Sequence, residues 1–184
     1  MRTLGLTLIM TFAIGLTVSF AQNIEIKVNP LALATSDFKA SIEFLKSEHI
    51  GFEGTLGYNS GTRVFAFENY EEQGFEAGAM AKYYLKPKQG TDRIYLGLYG
   101  NYANTTYDKS EDGSDTFINQ KATTGFFLGY KWVSSSGFFL EAGSGIGRHL
   151  MNDNTASEGS SVDISTINMT NLHIPGRIAV GLRF

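Results

Sequence analysis

The chain contains no cysteine. A disulfide framework and a thiolate metal site are therefore both excluded, and so is lipid attachment to a cysteine after a signal sequence. It also lacks a basic excess: 15 Lys and Arg stand against 18 Asp and Glu, a formal net charge of −3. That balance argues against a nucleic-acid binder, which needs a basic patch or stripe. Beyond the first residues no apolar run is long enough for a transmembrane helix, which needs about 20 residues. Mean hydropathy is −0.10, which alone would describe a water-soluble protein. The average does not exclude a membrane barrel, whose lipid-facing and lumen-facing residues alternate and cancel.

What is present begins with a secretory-signal pattern. Met1-Arg2-Thr3 is a short basic start, Leu4 to Leu16 is mostly apolar, and Ser19 and Ala21 place small residues three before and at a cleavage point. The apolar core is short for a span, and Gln22-Asn23-Ile24-Glu25 follows without a basic stop-transfer flank. Residues 1–21 are expected to be a signal peptide and residues 22–184 one domain.

Within that domain the dominant pattern has period two. At the C-terminus Ile178, Val180, Leu182 and Phe184 alternate with Arg177, Ala179, Gly181 and Arg183, so a strand there has one apolar face and one polar or small face. The same alternation predicts eight strands, at about 23–34, 37–46, 49–58, 74–86, 92–104, 120–133, 137–150 and 170–184. In 49–58, Ile50, Phe52, Leu56 and Tyr58 oppose Gly51, Glu53, Thr55 and Gly57. In 120–133, Phe126, Leu128, Tyr130 and Trp132 oppose Gly125, Phe127, Gly129 and Lys131. Several windows of 10–13 residues suit tilted membrane strands.

The connections alternate in length. Ser47-Glu48, Lys86 to Thr91 and Val133 to Gly137 are short, whereas 59–73, 105–119 and 151–169 are long. Thr35-Ser36 is a short exception on the long-loop side. Short periplasmic turns and longer external loops are the outer-membrane arrangement, and an even strand count lets the barrel close. Aromatics fall in two bands: Phe44, Tyr83, Tyr130, Trp132, Phe138 and Phe184 near the periplasmic ends, and Phe38, Tyr58, Phe75 and Tyr102 near the external ends.

Residues Gly125-Phe126-Phe127-Leu128-Gly129-Tyr130-Lys131-Trp132, the strand Gly137 to Gly147 and the terminal Gly176 to Phe184 together resemble the small eight-stranded outer-membrane barrels of the OmpX/OmpA transmembrane type. The chain is similar to the "outer membrane protein beta-barrel domain" families of Gram-negative bacteria. The resemblance implies an all-β, eight-stranded antiparallel up-and-down transmembrane barrel in the cell outer membrane. It further implies that Ile178, Val180, Leu182 and Phe184 form a C-terminal signal read by the outer-membrane insertion machinery. Unlike the OmpA type, the chain is expected to carry no peptidoglycan-binding domain after Phe184.

The face opposite the apolar one collects charge. Glu25, Lys27, Lys39, Glu43, Glu53, Glu76, Lys82, Lys131, Glu141, Arg177 and Arg183 share it, five acids and six bases. Eight strands enclose an interior that side chains can fill. Isolated buried charges are very costly, so these groups are expected to pair into a closed, salt-bridged lumen. Glycines such as Gly51, Gly97 and Gly129 would make room for them. A narrow ion path through the same residues is the alternative.

Other motifs carry little. Gly143-Ser144-Gly145-Ile146-Gly147 has no following helix, which a dinucleotide loop requires. Asp108-Lys109-Ser110-Glu111-Asp112-Gly113 begins like a calcium loop, but Asn119 stands where the bidentate Glu is needed. His49, His149 and His173 lack zinc spacing. Pairings of His149 with Ser144, or His173 with Ser165, sit in no recognisable hydrolase motif. Asn104-Thr105-Thr106 and Asn168-Met169-Thr170 match the eukaryotic glycosylation sequon by chance. Val64-Phe65-Ala66-Phe67 extends the alternation into the first long connection, where a sheet edge could meet a partner.

The expectation is a monomeric outer-membrane barrel with a structural or surface-interaction role. It has no cofactor, metal or enzymatic activity, and its partners are lipid, lipopolysaccharide and an extracellular ligand at the loops. A small pore, a lipid-modifying enzyme and a soluble lipocalin-shaped barrel are the rivals.

Overall fold

The computed structural model describes residues 24–34, 36–65, 68–109, 116–156 and 171–184. The expected signal segment lies outside them. The elements are β1 (Ile24–Val28), α1 (Pro30–Ala34), β2 (Asp37–Leu45), β3 (Ile50–Phe65), β4 (Glu68–Tyr84), β5 (Arg93–Lys109), β6 (Thr116–Val133), β7 (Phe138–Ala156), β8 (Leu172–His173) and β9 (Gly176–Arg183).

From β1 to β7 each strand pairs antiparallel with the next. β9 pairs with β7 from Phe138↔Leu182 to Ser144↔Gly176, and with β1 from Glu25↔Arg183 to Val28↔Val180. Strands β1–β7 and β9 therefore close an eight-stranded up-and-down barrel, with β8 a short extension beside β7.

Alternation decides which side chain faces where. Leu56 and Phe126 are each 70% exposed on the outside, whereas Tyr84, Tyr95 and Phe139 are fully buried within. Outward polar groups bond back to the wall. Ser144 donates its hydroxyl to the Pro175 carbonyl (3.0 Å), and Thr124 donates to the Tyr99 carbonyl (2.9 Å). Both hydroxyls thereby find a partner within the barrel wall. At one end the connections are short, spanning residues 46–49, 85–92 and 134–137, as expected.

The structure departs from the sequence reading in three places. The first expected strand, 23–34, ends at Val28 and gives way to α1. Asn29 caps this helix, its Oδ1 accepting from the Leu31 (3.0 Å) and Ala32 (3.3 Å) amides, and Pro30 occupies the first helical position. The last expected strand, 170–184, is interrupted at Ile174-Pro175, because proline has no N–H for a ladder.

The third departure is at the far end. Much of the expected loops at 59–73, 105–119 and 151–169 is strand, since β3 runs to Phe65, β4 starts at Glu68, β5 runs to Lys109, β6 starts at Thr116 and β7 runs to Ala156. Residues 66–67, 110–115 and 157–170 fall outside the described residues. The extension has its own filling. Tyr107 stacks on Phe117 at 4.8 Å between ring centroids, and Tyr70 meets Phe117 edge-on at 5.6 Å. These buried aromatics give strand pairing a reason to continue beyond the apolar band.

Candidate functional site

The inner face of the barrel holds a continuous ionic network. Lys27 on β1 donates to Glu43 (2.7 Å), Glu53 (2.8 Å) and Glu141 (2.9 Å). Lys82 on β4 meets the same three carboxylates at 2.9, 2.6 and 3.1 Å. Lys131 on β6 donates to Glu25 (2.6 Å) and Glu43 (3.1 Å). Arg177 on β9 donates to Glu53, to Glu141 and, at 3.1 Å, to the Tyr95 hydroxyl oxygen. Six strands thus contribute to one cluster: β1, β2, β3, β4, β7 and β9, with β6 bound to its lower side.

Aromatics complete the shell. The Tyr84 hydroxyl donates to Glu43 (2.6 Å), and that of Tyr95 donates to Glu141 (2.8 Å). Lys82 lies 4.6 Å from the Tyr95 ring centre, Lys131 lies 4.6 Å from that of Tyr84, and Arg177 stands 5.2 Å over Phe127. Rings placed this way favour the cations without adding charge. A Cβ at Gly129 would collide with the Tyr95 ring, so glycine there lets Tyr95 reach Glu141.

The network is capped below and looser above. Arg183 grips Glu25 through Nε (2.9 Å) and Nη2 (2.6 Å) and donates to the Gln89 (2.7 Å) and Thr91 (2.9 Å) carbonyls. This ties the 85–92 connection across the mouth. On the other side, Lys39 pairs with Glu76 at 2.5 Å, and Asn101 donates to Glu76 at 3.2 Å. Between this pair and the core lies a cavity of about 230 Å³, lined in part by Lys39, Glu76, Tyr99, Asn101, His173 and Arg177. Tyr99 and His173 share a 2.9 Å hydrogen bond there.

All eleven residues expected in the lumen stand on the inner face. Glu25, Lys27, Glu43, Glu53, Lys82, Lys131 and Glu141 are buried. Lys39, Glu76, Arg177 and Arg183 are only partly so. Glu43, Glu53 and Glu141 bring carboxylate oxygens within 4.8 Å of one another, a spacing that could suit a metal. Lys27 and Lys82 already bridge all three, and Arg177 binds two of them. The triad is therefore an ion-pair core, and a divalent cation would have to displace ammonium groups fixed in the wall.

Other residues singled out do not converge. Ser144 points outward, whereas His149 points inward to Thr123 (2.9 Å). Ser165 lies outside the described residues. His49 sits at the lower turns and contacts the Tyr84 carbonyl at 2.8 Å. Ile178, Leu182 and Phe184 face outward, and Val180 shares their side of β9. The inward aromatics Tyr84, Tyr95, Tyr99, Phe127 and Phe139 were not foreseen as part of the site. Their signal was parity, since each shares the alternating face of a lumen charge.

Comparison with known proteins agrees with this architecture. No curated protein is similar to the chain. Among solved structures it is similar to neisserial surface protein A, with 13% identity and a TM-score of 0.54, covering 88% of this chain and 95% of that one. At that identity the likeness speaks for the fold alone, a closed all-β barrel. A family model matches residues 6–183, nearly the whole chain. The chain therefore belongs to the family described as "Protein of unknown function (DUF3575)".

Proposed function

We propose that the protein is an integral outer-membrane barrel of the OmpX/OmpA transmembrane type, with a closed lumen and a structural or surface-interaction role. The observation that carries this reading is the inverted distribution of side chains. Leu56, Leu96, Leu98, Phe126, Leu128 and Ile146 are about half or more exposed, while Glu25, Lys27, Glu43, Glu53, Lys82, Lys131 and Glu141 are buried in the lumen. A soluble lipocalin-shaped barrel needs the opposite register, with its apolar face inward. In water such an exterior would form one large apolar belt, which soluble monomers avoid.

In this reading the barrel is a monomer that meets lipid and lipopolysaccharide. Ile178, Val180, Leu182 and Phe184 are read by the insertion machinery, and the outer connections meet an extracellular ligand. No catalytic chemistry is assigned, and the opposite facing of Ser144 and His149 supports that choice.

The main rival is a small pore. The buried core of Lys27, Lys82, Lys131, Glu43, Glu53 and Glu141 fills the barrel cross-section and favours the plug. The purified protein in planar bilayers is expected to give no steady conductance steps at moderate voltage. Reproducible, sustained open steps would replace the plugged lumen with an ion path.

A further inference from the structure

The barrel wall is incomplete at one place. β1 ends at Val28, its last pairings being Val28↔Ala40 with β2 and Val28↔Val180 with β9. β2 continues to Asp37 and β9 begins at Gly176, so both run past the end of β1, and among the described residues no strand lies between them. The short α1 lies there instead, packed against β2 and β9 with Ala32 buried. Pro30 and Pro175 stand at the two margins, and neither can donate to a ladder.

The cavity lies behind this break. Asn29, Pro175, Gly176 and Arg177, all at the margin, are among the residues that line it. On the outside the margins are apolar: Leu31, Leu33 and Phe38 on one side, Ile174 and Ile178 on the other, are all exposed. Ile178 lies about 15 Å above Phe184, at a rise of roughly 3.3 Å per residue on a strand tilted about 40°. That is the upper half of an apolar band about 25 Å tall. Irregular backbone is tolerated at such depth where it is covered by protein or lines a polar cavity.

We propose that this break is a lateral portal, and that the cavity behind it holds the carboxylate head of a single-chain fatty acid whose tail stays in the lipid. The inference rests on the membrane-spanning reading above. Size points to an amphiphile rather than a whole lipid. About 230 Å³ admits a head group and a few methylenes, and the remaining chain must leave through the side. Charge points to an anion. Lys39 and Arg177 both line the cavity, where Glu76 is the one carboxylate of the lining, while Glu53 and Glu141, the partners of Arg177, lie behind it. Arg177 Nε, a donor on a lining residue, is buried without a hydrogen-bond partner. A small rearrangement would let a carboxylate oxygen accept from it, since unsatisfied buried polar groups are costly.

The test uses the full barrel in lipid nanodiscs and palmitate bearing a diazirine beside its carboxylate. Irradiation followed by peptide mass spectrometry is expected to place label on the inward Met80, Tyr99, Phe127 and His173. Excess unlabelled palmitate should remove it. Lys39→Gln should weaken that labelling about tenfold, by loss of a charged partner. Thr55→Trp, which fills the cavity, should abolish it, while Leu56→Trp, its outward neighbour, should not.

Label confined to Leu96, Leu98 and Phe126 would mean annular lipid only, which overturns the portal and leaves the membrane reading standing. Competition by acetate as effective as that by palmitate would also overturn it, in favour of a small-solute site reached from above. A protein that never enters the nanodisc would remove the membrane reading and the portal together.

Discussion

Replacing Glu141 with alanine is expected to destabilise the barrel by about 3–5 kcal/mol or to prevent it from folding. Glu141 accepts from Lys27, Lys82, Arg177 and Tyr95. Its removal leaves Lys27, Lys82, Lys131 and Arg177 to share Glu43 and Glu53 within the buried core. The cost is the desolvation of charges that have lost a partner, and it exceeds the value of the pair itself. Lys39→Gln offers the contrast, because the Lys39–Glu76 pair is partly exposed and worth about 0–1 kcal/mol. Urea midpoints for refolding in detergent, read by gel migration with and without heating, measure both. Equal midpoints for the wild type and Glu141→Ala would mean that the network does not hold the lumen together.

A second large effect is expected on the outer face. Leu98 lies between the aromatic bands, on β5, paired with Ala81 and Phe126. Leu98→Arg should cost about 2–4 kcal/mol of folding free energy in lipid, the range for an arginine at a bilayer midplane. Thr62→Arg, also outward but in the β3 extension beyond Tyr58, should cost at most about 1 kcal/mol, because the penalty fades toward the interface. Folding titrations into thin-chain liposomes compare the two. A Leu98→Arg barrel as stable in lipid as Thr62→Arg would place β5 outside the hydrocarbon.

Most of the architecture was legible because a barrel with an apolar outside and a charged inside writes its register into every second residue. The lumen charges could be read for the same reason. Once Lys131 and Trp132 are on opposite faces, the parity of β6 is set, and each neighbouring strand repeats the argument. What alternation could not show was where pairing stops. Asn29-Pro30 and Pro175 held that information locally, as a helix cap and a missing donor. Ile174 keeps the outward parity of β9 and hides the interruption there, whereas Leu31 and Leu33 fall on the parity of Glu25 and Lys27 but stay apolar. The outer connections failed for the converse reason. Ser, Asn and Thr in 105–119 and 151–156 read as solvated loop, but Tyr70, Tyr107 and Phe117 converge from three strands to bury a second aromatic cluster. That contact depends on strand register across the barrel, which no single segment reveals. The cavity and its portal are likewise products of the closed ring, as each margin residue is unremarkable alone.

Trp132 gives the most direct test of a lipid-facing exterior. It is the only tryptophan of the chain, stands on β6 and is 49% exposed on the outer face. Its neighbour Lys131 is fully buried in the lumen. With the unmodified protein in liposomes, Trp132 fluorescence should be quenched strongly by lipids brominated near the head group and weakly by aqueous acrylamide. Strong acrylamide quenching with no response to brominated lipid would put this face in water and contradict the barrel's inside-out construction.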